Sequence, residues 1–378
     1  MRNSFARIVI LVLAVVACSP QRGAPPAALG ETADVVEPSS AEWARVLEAA
    51  RREGTVSVIG PAAVQTRDAL TMAFEQAYPD IHVELNSGPA AQIVPRLLAE
   101  RGADRYDVDL FVSGTSTSIA SLRPAGVLDP ILPYLGGPAT LDLSKWQDGA
   151  LNFADNDRQY VLVFSEYVKV PFYYNPTLVS TDAIHSYRDL LDPRWKGKMA
   201  VYDPRLSGAG QGVFLYWYTT PSLGKDFIRQ MVGQDIAISR DERQVLDWVA
   251  RGERPIALGV GDSQAIEFMR RGLPVKAMEA QQMREGSYLT SGTGAVSVFN
   301  RPPHPNATRV YLDFLLSQQG QLEWSRAVGF VSDRLDVPRD HVEPFLIPVP
   351  GVKYDRQQNE PFVLVRDELE EYLKAVIP

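Results

Sequence analysis

The chain has 378 residues and a single cysteine, and its 46 Asp and Glu outnumber its 38 Lys and Arg, giving a formal net charge of −8. This acidic balance, without any Lys/Arg cluster, excludes a nucleic-acid surface, and one cysteine excludes an internal disulfide or a cysteine-bound metal. The length beyond the N-terminal tail, about 330 residues, predicts two lobes.

At the N-terminus the sequence predicts a signal peptide over residues 1–17. Arg2 and Arg7 precede an apolar run over residues 8–17, and a polar, Pro-rich stretch follows it, which is the layout of a secretion signal. The run is too short for a membrane-spanning helix, which needs about 20 residues. Its end, VVAC, resembles the lipobox of bacterial lipoproteins, and this resemblance implies a mature protein that begins at a lipidated Cys18. The alternative is an ordinary cleaved signal whose cysteine is incidental.

Residues 18–42 are predicted to form a tether. The stretch from 19 to 40 is rich in Pro, Ala, Gly and Ser and has neither a helical nor a strand period. Such a stretch buries too little apolar surface to offset the entropy of ordering it. We expect it to hold the globular part of the protein off the membrane that carries the lipid.

Strand and helix patterns then alternate through a first lobe. Short β-rich runs occupy residues 55–59, 81–85 and 108–114, and apolar residues recur at helical spacing between them. This alternation predicts right-handed βαβ units and a mostly parallel sheet flanked by helices. The predicted fold class is therefore α/β.

Each predicted strand of this lobe ends in a loop of small residues, at the sheet edge where ligands bind in such folds. Backbone N–H groups and hydroxyls of these loops can face an anion at a helix N-terminus. The alternative is that the loops are only tight turns with helix caps. The candidate ligand-binding residues of this lobe are Gly60, Pro61, Ala62, Ser87, Gly88, Ser113, Gly114 and Thr115.

The same pattern continues in a second lobe. Strand-like runs at residues 199–203 and 255–261 again end in Gly/Ser-rich loops. A further strand-like run at 294–299 is expected to re-enter the first sheet. The chain would then cross between the lobes twice.

Five candidate ligand-binding residues belong to the loops of the second lobe: Arg205, Ser207, Gly208, Ala209 and Asp262. Arg205 would supply a positive charge suited to carboxylate or phosphonate oxygens, or it is a surface residue of a turn. Asp262 would accept a hydrogen bond from an amine of the ligand, or it merely caps the helix that follows.

Four segments carry a resemblance to a known family: DVDLFVSG, VPFYYNP, RWKGKMAVYDPRLSGAGQG and GAVSVFNRPPHPNATRVYLDFLLSQQGQ. From residue 54 to 335 the sequence resembles the type II periplasmic solute-binding proteins of ABC transporters, particularly the branch of ferric-iron and 2-aminoethylphosphonate binders. The resemblance implies two lobes, each a mostly parallel sheet flanked by helices, with two crossing strands as a hinge. Lobe 1 would comprise residues 43–175 and 291–378, and lobe 2 residues 176–290, with the lobe that receives the C-terminal helix left open.

Tyr173 and Tyr174 raise the alternative of a ferric-iron-binding protein of the same fold, because adjacent tyrosines are the iron ligands of the ferric branch. That branch carries its tyrosine pair in the second lobe, in the slot that GVGDSQ fills here. We therefore expect the two tyrosines to pack in the hinge strand, with Tyr174 lining the cleft. No metal site is predicted.

An enzyme is not supported by the sequence. It contains no phosphate-binding loop of the G-x-x-x-x-G-K-[ST] type and no G-x-S-x-G elbow, and its four histidines are not paired at metal-ligand spacing. No catalytic residue and no cofactor are predicted. An adhesive or structural lipoprotein would explain the anchor and the tether, but not the small-residue loops at the strand ends of both lobes.

The sequence thus predicts an extracytoplasmic lipoprotein that captures a small, anionic solute between two lobes and delivers it to an ABC importer. Organic anions, phosphonates, sulfonates and metal chelates all fit loops of this kind. The expected partners are that ligand, the transporter permease and, through the lipid, a membrane. We expect a monomer.

Overall fold

A computed structural model describes residues 40–377, apart from residues 62–63, 89, 141, 183 and 353. The predicted signal peptide, the lipidated Cys18 and most of the tether lie outside the described residues, as does Ala62. Residues 40–42, which the sequence analysis assigns to the tether, form the first turn of a helix. No helix in the described part of the chain is long and apolar enough to cross a membrane.

In the described residues the strands are β1 (Thr55–Gly60), β2 (His82–Ser87), β3 (Leu110–Ser113), β4 (Leu128–Asp129), β5 (Asn152–Phe153), β6 (Leu162–Val163), β7 (Tyr167–Val168), β8 (Tyr173–Tyr174), β9 (Met199–Tyr202), β10 (Ala237–Ser239), β11 (Ile256–Leu258), β12 (Lys276–Ala277), β13 (Tyr288–Thr290), β14 (Ala295–Phe299) and β15 (Asp355–Arg356). The α-helices are α1 (Ser40–Glu53), α2 (Val64–Leu70), α3 (Met72–Ala77), α4 (Ala90–Gly102), α5 (Thr115–Thr117), α6 (Ala209–Thr219), α7 (Gly224–Val232), α8 (Glu242–Arg251), α9 (Asp262–Arg270), α10 (Pro305–Leu315), α11 (Gln318–Val328), α12 (Glu360–Leu364) and α13 (Arg366–Val376).

The first lobe is built on the sheet β2–β1–β3–β14–β6–β5, with β4 paired to β14. β1 is parallel to β2 and β3, with Thr55 opposite His82 and Gly60 opposite Ser87, whereas β14 is antiparallel to β3 and β6. β1 is a nearly continuous apolar run because a parallel strand is covered on both faces. The large buried side chains of this core include Phe74, Trp146, Phe164, Tyr311 and Trp324.

The second lobe is built on the sheet β10–β9–β11–β8–β12. Strands β9, β10 and β11 of this sheet are parallel, and β8 is antiparallel to β11 and β12. The C-terminal helix α13 packs on this lobe, because Leu369 and Leu373 are buried in the same apolar cluster as Trp217 of α6. The structure thereby assigns the helix whose lobe the sequence left open.

A small third sheet, in the order β15–β13–β7, connects the lobes. β7 follows β6 of the first sheet and precedes β8 of the second, and β13 leads directly into β14, so these are the two predicted crossing strands. β15 is a third strand beside them, parallel to β13. Arg356 of β15 donates a hydrogen bond from Nε to the buried Glu166 carboxylate at 3.0 Å, which ties β15 to the chain just before β7.

Candidate functional site

Loops from both lobes and from the third sheet enclose a cavity of about 350 Å³, here called the inner cavity. The first lobe contributes residues 113–117 after β3, and the second contributes residues 207–209 before α6. The connecting strands contribute Tyr167, Tyr288 and the loop 290–293. A solute in this cavity would contact both lobes and the segments that join them.

Six of the predicted residues line the inner cavity together: Ser113, Gly114, Thr115, Ser207, Gly208 and Ala209. They come from two loops that are almost a hundred residues apart in sequence, so the strand-end pattern locates both sides of the site. The Thr115 hydroxyl donates a hydrogen bond to the backbone oxygen of Gln358 at 2.7 Å. The first-lobe loop is therefore fixed to the segment that follows β15.

The other predicted first-lobe residues are placed elsewhere. Gly60, Ser87 and Gly88 are not among the described residues that line the inner cavity, and Pro61 lines an adjoining one. A Cβ on Gly60 would lie 2.9 Å from Leu85 Cδ1, so glycine leaves room for the Leu85 side chain at the end of β1. Their binding roles remain predictions.

Tyr174 packs edge-on against Phe172, with ring centroids 6.3 Å apart, and it too is absent from the described lining of the inner cavity. It lies in β8, between β11 and β12 of the second sheet. The tyrosine pair thus lies in the second sheet and not in the connecting strand β7, and the cleft-lining role of Tyr174 remains a prediction.

Arg205 forms an ion pair within its own loop. Its Nε and Nη2 donate to the Asp203 carboxylate oxygens at 2.9 and 3.1 Å, and Asp203 is almost completely buried. Burial alone would raise the pKa of Asp203, but hydrogen bonds from Arg205 outweigh it and hold that pKa below its usual value. Arg205 is thus ion-paired with Asp203, whose carboxylate also lies 3.4 Å from Arg240 Nε, and Arg205 is not among the described residues that line the inner cavity.

Asp262 is the first residue of α9, and it takes part in a buried ion pair. Its Oδ2 accepts a hydrogen bond from Lys169 Nζ at 2.8 Å, and its Oδ1 accepts one from the Tyr173 hydroxyl at 2.9 Å. Lys169 Nζ also donates to the Val260 backbone oxygen at 2.6 Å. Both oxygens of Asp262 therefore have protein partners, and Lys169 is held at the wall of the inner cavity with its charge balanced.

Arg366, the first residue of α13, is a cation of the inner cavity that the sequence analysis did not identify. Its Nη1 donates to Gln211 Oε1 at 2.9 Å, and its buried Nε has no hydrogen-bond partner in the described residues. Burial lowers the pKa of Arg366, against the opposing effect of Tyr288. No carboxylate of the described residues forms an ion pair with Arg366, so an anion in the cavity can pair with its guanidinium group.

Backbone N–H groups at the start of α6 add to this positive field. The first N–H groups of a helix lack intrahelical acceptors, and the helix dipole favours an anion there. The close approach of α6 to β9 requires glycine at position 210, because a Cβ there would lie 2.0 Å from the backbone oxygen of Tyr202. The Gly-rich loop therefore has two roles. It allows α6 to pack closely on β9, and it brings backbone N–H groups to the cavity.

The described lining of the inner cavity includes no carboxylate, imidazole or thiol. Among the described residues, no group of three or more His, Cys, Asp and Glu side chains is placed to hold a metal ion. Burial raises the pKa of Tyr167 and of Tyr288 well above the usual value. In the absence of a metal ion these two phenols are therefore neutral hydrogen-bonding groups.

Comparisons with known proteins agree with this architecture. The sequence profile of a family described as bacterial extracellular solute-binding protein matches residues 55–330. Similar solved structures include IdiA (FutA) of Trichodesmium, in complex with iron and citrate ligands, with a TM-score of 0.66 and 18% identity over 85% of this chain and 99% of that chain.

Iron-bound HitA from Pseudomonas aeruginosa has a TM-score of 0.65 and 17% identity over 85% of this chain and 99% of that chain. AfuA from Actinobacillus pleuropneumoniae, with fructose-6-phosphate bound, has a TM-score of 0.63 and 16% identity over 86% of this chain and 98% of that chain. At these identities the likeness concerns the fold. It confirms the predicted two-lobe, type II periplasmic-binding-protein fold.

Proposed function

Because this chain belongs to the family of bacterial extracellular solute-binding proteins, we propose that it captures a small anionic solute in its inner cavity and delivers it to an ABC importer. The observation that supports an anionic solute is the Arg366 guanidinium at the cavity wall. Among the described residues, no carboxylate forms an ion pair with it.

The mechanism follows from the arrangement of loops around the cavity. The solute accepts hydrogen bonds from residues 113–117 of one lobe and 207–209 of the other, and its charge is balanced by Arg366. Closure about β7, β13 and β15 brings the lobes together and removes water from these bonds. Closure is driven by the solute only if the closed form contacts it better than the open form. The permease would then recognise the closed form.

A ferric chelate is a second candidate, since iron with citrate is bound in one protein of this fold. Among the described residues, no carboxylate or imidazole lines the inner cavity beside Tyr167 and Tyr288, and this lining does not favour direct coordination of the ion. An anionic chelator would instead present its carboxylates to Arg366 and the loop N–H groups. Titration with the chelator alone and with its ferric complex separates the two solutes.

We also propose that lipid on Cys18 anchors the protein outside the cytoplasm and that the protein acts as a monomer. The VVAC motif and the Pro-rich stretch after it support the anchor. Partition of the full chain into a detergent phase tests it, with Cys18→Ser as the variant that should remain in the aqueous phase. Light scattering of the mature protein tests the monomer.

The experiment for the binding function is thermal and urea unfolding with a panel of carboxylates, phosphonates, sulfonates and ferric chelates, after removal of any co-purified solute. A true ligand at 100 times its Kd stabilises the folded protein by about 2.7 kcal/mol. Arg366→Gln should remove this gain, whereas Arg52→Gln, an exposed change on α1, should keep it. If no anion of the panel stabilises the protein, the proposed anionic class of solute is wrong.

A further inference from the structure

A second, larger cavity of about 900 Å³, here called the outer cavity, adjoins the inner one. Four residues line both cavities: Tyr167, Gly261, Gly292 and Thr293. The two cavities therefore meet at these residues. The volume of the outer cavity lies at the upper end of the range for small-molecule sites, roughly 300–1,000 Å³, so a compact anion in the inner cavity leaves it unfilled.

The outer cavity has its own cations, which do not line the inner one. Arg270 and Arg271 come from α9 and its end in the second lobe, and Arg326 comes from α11 in the first. No carboxylate of the described residues forms an ion pair with Arg326. A solute group between these side chains would be attracted from both lobes.

The protein's own carboxylates hold the arginines of the second lobe only loosely. Arg270 Nη2 lies 3.6 Å from Glu343, and Arg271 Nη1 lies 3.7 Å from Glu267. Both arginine side chains are more than half exposed, and such pairs contribute little. The remaining acid of the outer wall, Asp262, is already bonded to Lys169. An acidic group of a solute can therefore compete for the arginines.

An apolar wall lies at the junction of the two cavities. Tyr167 lines both, and its ring stacks on Phe330 of the outer cavity with centroids 3.9 Å apart. Ile266 and Val328 extend this apolar wall in the outer cavity. The segment of a solute that passes the junction would thus contact aromatic and aliphatic carbon.

From this arrangement we infer that the solute is an extended organic dianion. One acidic group binds at Arg366 in the inner cavity, a carbon body crosses the Tyr167–Phe330 junction, and a second acidic group binds between Arg326 and Arg270 in the outer cavity. This inference rests on the proposed function and adds to it the class of solute. It distinguishes this protein from a binder of a compact oxyanion or of a bare metal ion.

Isothermal titration with paired probes tests the inference. The probes are α,ω-dicarboxylates and ω-phosphonocarboxylates of increasing methylene number, each with its monoester, which retains one acidic group. We expect affinity to pass through a maximum at one spacer length, where the diacid binds at least about tenfold more tightly than its monoester, since a charge-assisted hydrogen bond contributes on that scale.

The variants separate the two cavities. Arg326→Gln should weaken the best diacid about tenfold and leave its monoester unchanged, whereas Arg366→Gln should weaken both. Arg326 is exposed, so its variant is expected to fold, and Arg52→Gln is the matched control for loss of one positive charge.

If diacid and monoester bind equally and Arg326→Gln changes the affinity of neither, the inference of a dianionic solute is wrong. In that case the proposed function stands as long as Arg366→Gln still weakens the monoester. If none of the probes binds, both the dianion and the proposed anionic solute are overturned.

Discussion

Replacing Lys169 by methionine tests whether the Lys169–Asp262 ion pair organises the wall of the inner cavity. Both side chains are buried, with 4% and 1% of their surface exposed, and Nζ lies 2.8 Å from Oδ2. Lys169→Met keeps the apolar stem of the side chain but removes its charge. Of the two side chains that donate to the buried Asp262 carboxylate, only the Tyr173 hydroxyl then remains. Removing one member of a buried pair costs about 3–5 kcal/mol of unfolding free energy.

The comparison that isolates the charge is the double variant Lys169→Met with Asp262→Asn. It removes the unbalanced carboxylate, and the amide oxygen of the substituted side chain can still accept a hydrogen bond from Tyr173, so we expect it to be clearly more stable than Lys169→Met alone. The exposed pair of Arg52 and Glu48, one helical turn apart on α1, is the reference. Arg52→Met should cost at most about 0.5 kcal/mol.

Urea unfolding followed by tryptophan fluorescence measures these differences, with the midpoint reporting stability and the slope reporting exposed surface. Lys169→Met should shift the midpoint far below that of Arg52→Met at an unchanged slope. If the two variants had the same midpoint, or if the double variant were the least stable, the ion pair would not be the organising contact that the geometry indicates.

Three further predictions concern charge and close packing. Burial, together with a neighbouring buried glutamate, raises the pKa of Asp333 to about 8. Above the usual carboxyl pKa, the folded protein therefore keeps a proton that the unfolded chain releases. The free energy of unfolding then falls as pH rises from the usual carboxyl range through about 8. Asp333→Asn should therefore stabilise the protein more at about pH 9 than at about pH 5 in urea unfolding, and the reverse order would contradict the assignment. Arg366→Gln should lower the affinity for an anionic ligand by about 10- to 100-fold in titration calorimetry. Arg205→Gln should lower it less, because Arg205 is ion-paired with Asp203. Equal effects of the two variants would show that Arg205 also belongs to the site. Gly210→Ala should cost about 1–3 kcal/mol, because its methyl group would meet a backbone oxygen at 2.0 Å, and unchanged thermal stability would show that α6 is free to shift.

The fold was largely predictable because its central strands are buried on both faces. Such strands appear in the sequence as short apolar runs, and the runs at 55–59 and 199–203 correspond to β1 and β9 within one residue. The run at 81–85 corresponds to the edge strand β2 within two residues. The loops after β3 and β9 were also predictable, because small residues must follow where a helix starts close to a strand. Strand β15 has only two residues, Asp355–Arg356, and no periodicity can identify so short an element.

The roles of Lys169 and Arg366 at the site were not predictable, because both depend on contacts between distant segments. Lys169 lies in an apolar run, and its partner Asp262 follows 93 residues later. Arg366 reaches the inner cavity only because α13 packs on the second lobe, which helical spacing does not specify. Arg205 was predicted to bind the ligand because it precedes the Gly-rich loop. In the structure it instead donates a hydrogen bond to Asp203, two residues earlier.

A crystal structure of the mature protein with the anion that stabilises it most tests the central claim directly. We predict that the acidic group of the anion lies within hydrogen-bonding distance of the Arg366 guanidinium and of backbone N–H groups in residues 113–117 or 207–209, with the two lobes closed over it. An anion bound outside this cavity, or a cavity that stays filled with water while the anion stabilises the protein, would contradict the account.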